Sequence, residues 1–113
     1  MKKVEAIFRH IMLDDVKLAL DKIGAKGMTV TDVKGAGKQR GYTEVYRGSK
    51  LTISLRPKVK VELVVSDDLV EEVISTIAGT ARTGEIGDGK IFISDITEAV
   101  AIRTGVRGEP AIN

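Results

Sequence analysis

The chain contains no cysteine, no tryptophan and a single histidine. Without thiols there is no disulfide framework, no thiol catalysis and no thiolate metal site. A lone His10 argues against a His-rich metal centre or a Ser-His-Asp triad. Aromatics make up only 4% of the chain, against 42% for all hydrophobic residues. The core must therefore be built from Val, Ile, Leu and Ala, which suits strands packed under helices. Long apolar runs are missing as well. The first ten residues, MKKVEAIFRH, set charges on both sides of a very short apolar stretch. Neither a secretory signal nor a membrane-spanning segment is expected, and the chain reads as cytoplasmic.

What is present fits one domain over residues 1–113. A chain of this size buries roughly two-thirds of its unfolded surface, so burial between subunits would supplement the core. The net charge of +2 hides an asymmetry. Residues 38–60 carry seven basic side chains against the single acid Glu44, a net +6 that leaves −4 for the rest. Such a segment on a mildly acidic body suits an anionic partner, or serves as a solvated loop kept soluble by its charge.

Two similar halves follow one another. Residues 2–9 alternate, with Val4, Ala6 and Phe8 on one side. Leu13, Val16, Leu20 and Ile23 then recur at helical spacing, with Asp14 and Asp15 in the first turn and Gly24 at the stop. A second strand is expected over 28–34. The order then repeats. Residues 58–65 alternate strictly, Ser66 is a candidate N-cap followed by Asp67 and Asp68, and Leu69, Val70, Val73, Ile74 and Ile77 form a helical stripe ending near Gly79. A last strand is expected over 90–94. Strand–helix–strand taken twice predicts an α+β, ferredoxin-like double βαβ (split βαβ) sandwich, one antiparallel sheet with two helices on one face. The uncovered face is expected to be buried by self-association. Between the halves, about 35–57 is too long for an ordinary connection. Stretches 42–46 and 51–55 could pair as a hairpin, serving either a functional loop or an assembly arm.

Two glycine–basic segments could hold an anion. Gly35-Ala36-Gly37 leads into Lys38-Gln39-Arg40-Gly41, and Thr83-Gly84-Glu85-Ile86-Gly87-Asp88-Gly89 delivers Lys90 at a strand start. Glycines let backbone N–H groups approach a phosphate, and cations share its charge. Each segment alone is also an ordinary turn. Together, at matching strand ends and with Arg82 and Arg103 beyond, they favour a polyphosphate site. No nucleophile–base pair is present, which argues against an enzyme. A basic ferredoxin-like RNA-binding module is the competing class, but the few aromatics form no stacking cluster, and no nucleic acid is expected.

The blocks Met28-Thr29-Val30-Thr31-Asp32-Val33-Lys34-Gly35, Gly41-Tyr42-Thr43-Glu44-Val45-Tyr46-Arg47-Gly48, Pro57-Lys58-Val59-Lys60 and Thr83 through Phe92 resemble the PII nitrogen-regulatory family, in order and over essentially the whole chain. The resemblance implies a non-enzymatic homotrimer that binds ATP or ADP between subunits, and 2-oxoglutarate alongside Mg-ATP. It implies a T-loop over about 37–56 that docks on a protein target such as an ammonium transporter or a nitrogen-metabolism enzyme, which could bring the protein to a membrane. By matching positions, Gly87, Gly89, Lys90 and Arg103 hold phosphates, joined by Gly35, Gly37, Lys38 and Asp88. Thr29, Glu62 and Val64 lie around adenine and ribose. Gln39 serves Mg²⁺ and, with Gly41 and Lys58, 2-oxoglutarate, while Arg47 and Ser49 face the target. Three departures stand out: Ala101 and Lys38 replace arginines, and Leu51 replaces the tyrosine that many members have uridylylated. A lost guanidinium removes charge-assisted hydrogen bonds of roughly 1.5–3 kcal/mol each.

Overall fold

In the computed structural model the described residues are 1–36, 43–46, 49–52 and 55–113. The alternation at the N-terminus becomes β1 (Lys2–Phe8), followed by α1 (Leu13–Lys22) and β2 (Thr29–Ala36). Two short strands, β3 (Thr43–Tyr46) and β4 (Ser49–Thr52), pair antiparallel, with Tyr46 opposite Ser49. The second half supplies β5 (Leu55–Val65), α2 (Val70–Ala81) and β6 (Lys90–Asp95). The hairpin arm expected at 51–55 thus lies at Ser49–Thr52, and Leu55 already belongs to the main sheet.

That sheet has the order β2-β5-β1-β6, with every neighbouring pair antiparallel. It is the ferredoxin-like arrangement, with α1 and α2 packed together on one face. Period-2 alternation sends Val4, Ala6 and Phe8 of β1 and Val59, Val61, Leu63 and Val65 of β5 to that face, where all are buried. Val16 and Leu20 of α1 and Val70, Val73 and Ile77 of α2 meet them. Burying side chains of this size contributes about 1.5–3 kcal/mol each.

The helix ends differ in part from expectation. Ile23 caps α1 and Gly24 takes φ +79°, a left-handed conformation that suits glycine just beyond the cap. Ser66 is extended but makes no side-chain cap bond, and a 3₁₀ turn, Asp67–Leu69, precedes α2. Glu71 and Glu72 are therefore the acids in the first turn of α2, while Asp67 receives the Met1 ammonium at 3.0 Å. α2 also runs past Gly79 to Ala81. A mid-helix glycine costs about 1 kcal/mol, and Ala81, buried in the core, lies two residues further on.

The face away from the helices is charged. Lys60 Nζ lies 3.6 Å from Glu5 Oε1 and 3.4 Å from Glu62 Oε1, and Lys3 Nζ lies 4.0 Å from Glu62 Oε2. Among the described residues, no helix is long and apolar enough to cross a membrane.

Candidate functional site

The segment between α2 and β6 is a loop tied at its neck by one carboxylate. Asp88 Oδ2 accepts the backbone N–H groups of Thr83 and Gly84, each at 2.9 Å, and Asp88 Oδ1 accepts the Thr83 hydroxyl. The end of β1 adds Arg9, which pairs with Asp88 and donates from Nη2 to the Ile86 carbonyl at 2.9 Å. From β5, Lys58 Nζ donates to the Gly87 carbonyl at 2.6 Å. Two glycines make this path possible. At Gly89 (φ +105°) a Cβ would stand 1.8 Å from the Ile7 carbonyl oxygen, so the loop enters β6 pressed against β1. At Gly87 (φ +103°) a Cβ would stand 3.1 Å from Arg9 Nη2 and 3.5 Å from Lys58 Nζ.

This local chemistry sets the charges. Hydrogen bonds from Thr83, then from Arg9 and Gly84, hold the Asp88 carboxyl well below the usual range despite its partial desolvation. Burial lowers the Lys58 pKa from its ordinary value, and the nearby Arg9 guanidinium lowers it further, while Asp88 partly offsets both.

Beside the loop opens a concavity of about 640 Å³, walled by Ile7, Phe92 and the loop itself. Of the expected ligand-binding positions, Gly35, Lys58, Gly87, Asp88, Gly89 and Lys90 come together here. Lys58 crosses Gly35, where a Cβ would meet its Cγ at 3.2 Å. Lys90 has no side-chain partner among the described residues and its cation is available. Thr29 and Glu62 are cross-strand partners on the open sheet face, which Val64 shares. They lie about 13 Å along β5 from Lys58, at four residues of strand rise. Arg103 is exposed on a C-terminal turn closed by the Gly105 N–H donating to the Ala101 carbonyl at 2.8 Å. Gly37, Lys38, Gln39, Gly41 and Arg47 lie outside the described residues, and Ser49 is placed only as the first residue of β4.

The family model for nitrogen regulatory protein P-II matches residues 1–106. The chain belongs to the P-II family. It is 52% identical over 112 residues to the nitrogen regulatory protein P-II of Klebsiella oxytoca and 54% to that of Bradyrhizobium diazoefficiens. It is 52% identical to nitrogen regulatory protein P-II 1 of Escherichia coli. Each comparison covers 99% of this chain and the whole of the relative. P-II proteins are signal transducers and not enzymes.

Arg9 is the loop-holding residue that sequence reasoning missed. A single arginine at a strand end carries no motif. The available signal was Asp88, an acid between two glycines directly before Lys90, which called for a cation from elsewhere.

Proposed function

We propose that this P-II chain is a homotrimeric sensor of ATP, ADP and 2-oxoglutarate that acts on a protein target through the segment at about 37–56. The observation that carries the reading is the concavity, where a glycine loop, Lys58 and the unpartnered Lys90 face one space. Its size suits a nucleotide-scale ligand. A polyphosphate needs amide donors and cations from more than one direction, and these residues offer both.

The placement of the remaining expected residues supports a site shared between subunits. Thr29, Glu62 and Val64 occupy the far end of the sheet face, and Arg103 stands on the C-terminal turn. The base-binding end of one copy set against the phosphate-binding end of another completes the cleft. Among the described residues no group of three His, Asp or Glu side chains is placed to hold a metal ion. Mg²⁺ would therefore take its oxygens from the phosphates and Gln39, in keeping with its preference for few protein ligands. A dicarboxylate beside a triphosphate needs cations between them, and Mg²⁺ with Lys58 meets that need. The target is a nitrogen-metabolism protein such as an ammonium transporter, and the protein works in the cytoplasm or at the membrane through that partner.

Calorimetric titration with ATP and with ADP, each with and without Mg²⁺ and 2-oxoglutarate, tests the reading. Saturable nucleotide binding, with 2-oxoglutarate binding only beside Mg-ATP, is the expected result. The absence of any nucleotide binding would sink it.

A further inference from the structure

Arg9 reaches the loop at two separated points, and the consequence for the loop's amides follows from peptide geometry. Its Nη1 pairs with Asp88 and lies 3.2 Å from the Thr83 hydroxyl, at the neck. Its Nη2 holds the Ile86 carbonyl at 2.9 Å, further along the loop. In a trans peptide the C=O and N–H lie in one plane and point in opposite directions. Fixing the Ile86 carbonyl on Arg9 therefore turns the Gly87 N–H away from Arg9. Arg9 does not line the concavity, whereas Ile86 and Gly87 do. The Gly87 N–H has no hydrogen-bond partner among the described residues, and neither has that of Asp88. Glycine at 87 is also what lets the strut approach, because a Cβ there would crowd Nη2 at 3.1 Å.

We propose that Arg9 is a positioning residue of this site: anchored on Asp88, it holds the Ile86–Gly87 peptide so that the Gly87 amide faces the concavity and receives a phosphate oxygen. This rests on the nucleotide-binding reading above and adds to it a residue that acts through the backbone without touching the ligand. It also gives Asp88 a different part from that of a ligand-binding residue. Its carboxylate is committed to Thr83, Gly84 and Arg9, so it serves as the anchor of the strut. The guanidinium holds the neck and the Ile86 carbonyl from two separate nitrogens in a rigid fork, a spacing that the single nitrogen of an ammonium does not reproduce.

The test uses the full chain, Mg-ATP as the probe, and amide hydrogen exchange at Thr83 and Gly84 measured without ligand. In Arg9→Met we expect faster exchange at both amides and ATP binding weakened roughly tenfold, the scale of one charge-assisted hydrogen bond. The thermal midpoint should change little. Arg9→Lys keeps the pair with Asp88 but not the fork, and should fall between the two. Asp88→Asn, which removes the anchor with little change of shape, should reproduce the exchange effect. Weakened ATP binding with unchanged exchange in Arg9→Met would overturn the proposal, since Arg9 would then act on the ligand directly. Unchanged exchange and affinity would overturn it equally. If the unaltered chain binds no ATP, the sensor reading fails, and the exchange contrast still decides whether Arg9 holds the loop.

Discussion

Gly89 and Ile7 are in such close apposition that a methyl group on the first would lie 1.8 Å from the carbonyl oxygen of the second. The neighbour is backbone and cannot rotate aside. Gly89 also has φ +105°, where side chains are strained. Gly89→Ala should lose about 3 kcal/mol or more from strain and overpacking together. Denaturant unfolding checks this, and the variant should also fail to bind nucleotide, because β6 cannot deliver Lys90 to the concavity.

The electrostatics of Lys58 predict a pH dependence for a carboxylate ligand. Burial first, and Arg9 second, lower its pKa below the ordinary 10.5. Binding of 2-oxoglutarate should hold steady near neutral pH and decline on the alkaline side sooner than an ordinary lysine allows. For folding the sign is opposite. Between the lowered value and 10.5 the unfolded chain binds more protons, so this group makes stability rise with pH. Titrations from neutral pH upward should show the decline, and Arg9→Met should move its midpoint higher.

Asp88 predicts resistance to acid. Its carboxyl is held well below the ordinary 3.8 by Thr83, Arg9 and Gly84. A depressed carboxylate contributes stability above its unfolded pKa and loses it as pH falls through the folded value. The loop should therefore stay ordered at pH 3.8, where a free aspartate is half protonated. The amide resonance of Gly84, bonded to Asp88 at 2.9 Å, reports this directly. In Asp88→Asn that resonance should shift at every pH.

A cleft shared between copies predicts complementation. Under the proposed shared cleft, Lys90→Ala would damage the phosphate-binding end and Val64→Asp the base-binding end, so neither variant alone should bind ATP well. Random mixing of the two subunits in one trimer leaves about a quarter of the clefts with both ends intact. Recovered binding near that fraction supports the shared site. No recovery in verified mixed trimers would place both ends in one subunit.

The fold was legible because its signals are periodic. Val59, Val61, Leu63 and Val65 announce a strand, and Val70, Val73 and Ile77 a helix, whatever surrounds them. The boundaries were less so. β5 begins at Leu55 because Arg56 pairs opposite Gly35 and Leu55 opposite Ala36, a backbone match that apolar alternation does not register. Ser66 has the residue type of a cap but not the bond, since a 3₁₀ turn comes between it and α2. In the site, the glycines and lysines were readable as chemistry at fixed spacing. The partnership of Arg9 with Asp88 spans 79 positions of chain, and only the sheet brings it about.

The central place of β1 also governs when the protein can fold. Both of its neighbours, β5 and β6, lie in the second half of the chain, and Lys2 finds its partners at Val65 and Asp95. During synthesis the first strand and helix emerge with nothing to close against, since the loop entropy of distant pairing must be met before any of it is rewarded. The sheet can be completed only once residue 95 has left the ribosome. A nascent chain halted in the middle would carry its strands but no core, leaving Val4, Ala6 and Phe8 open to chaperones.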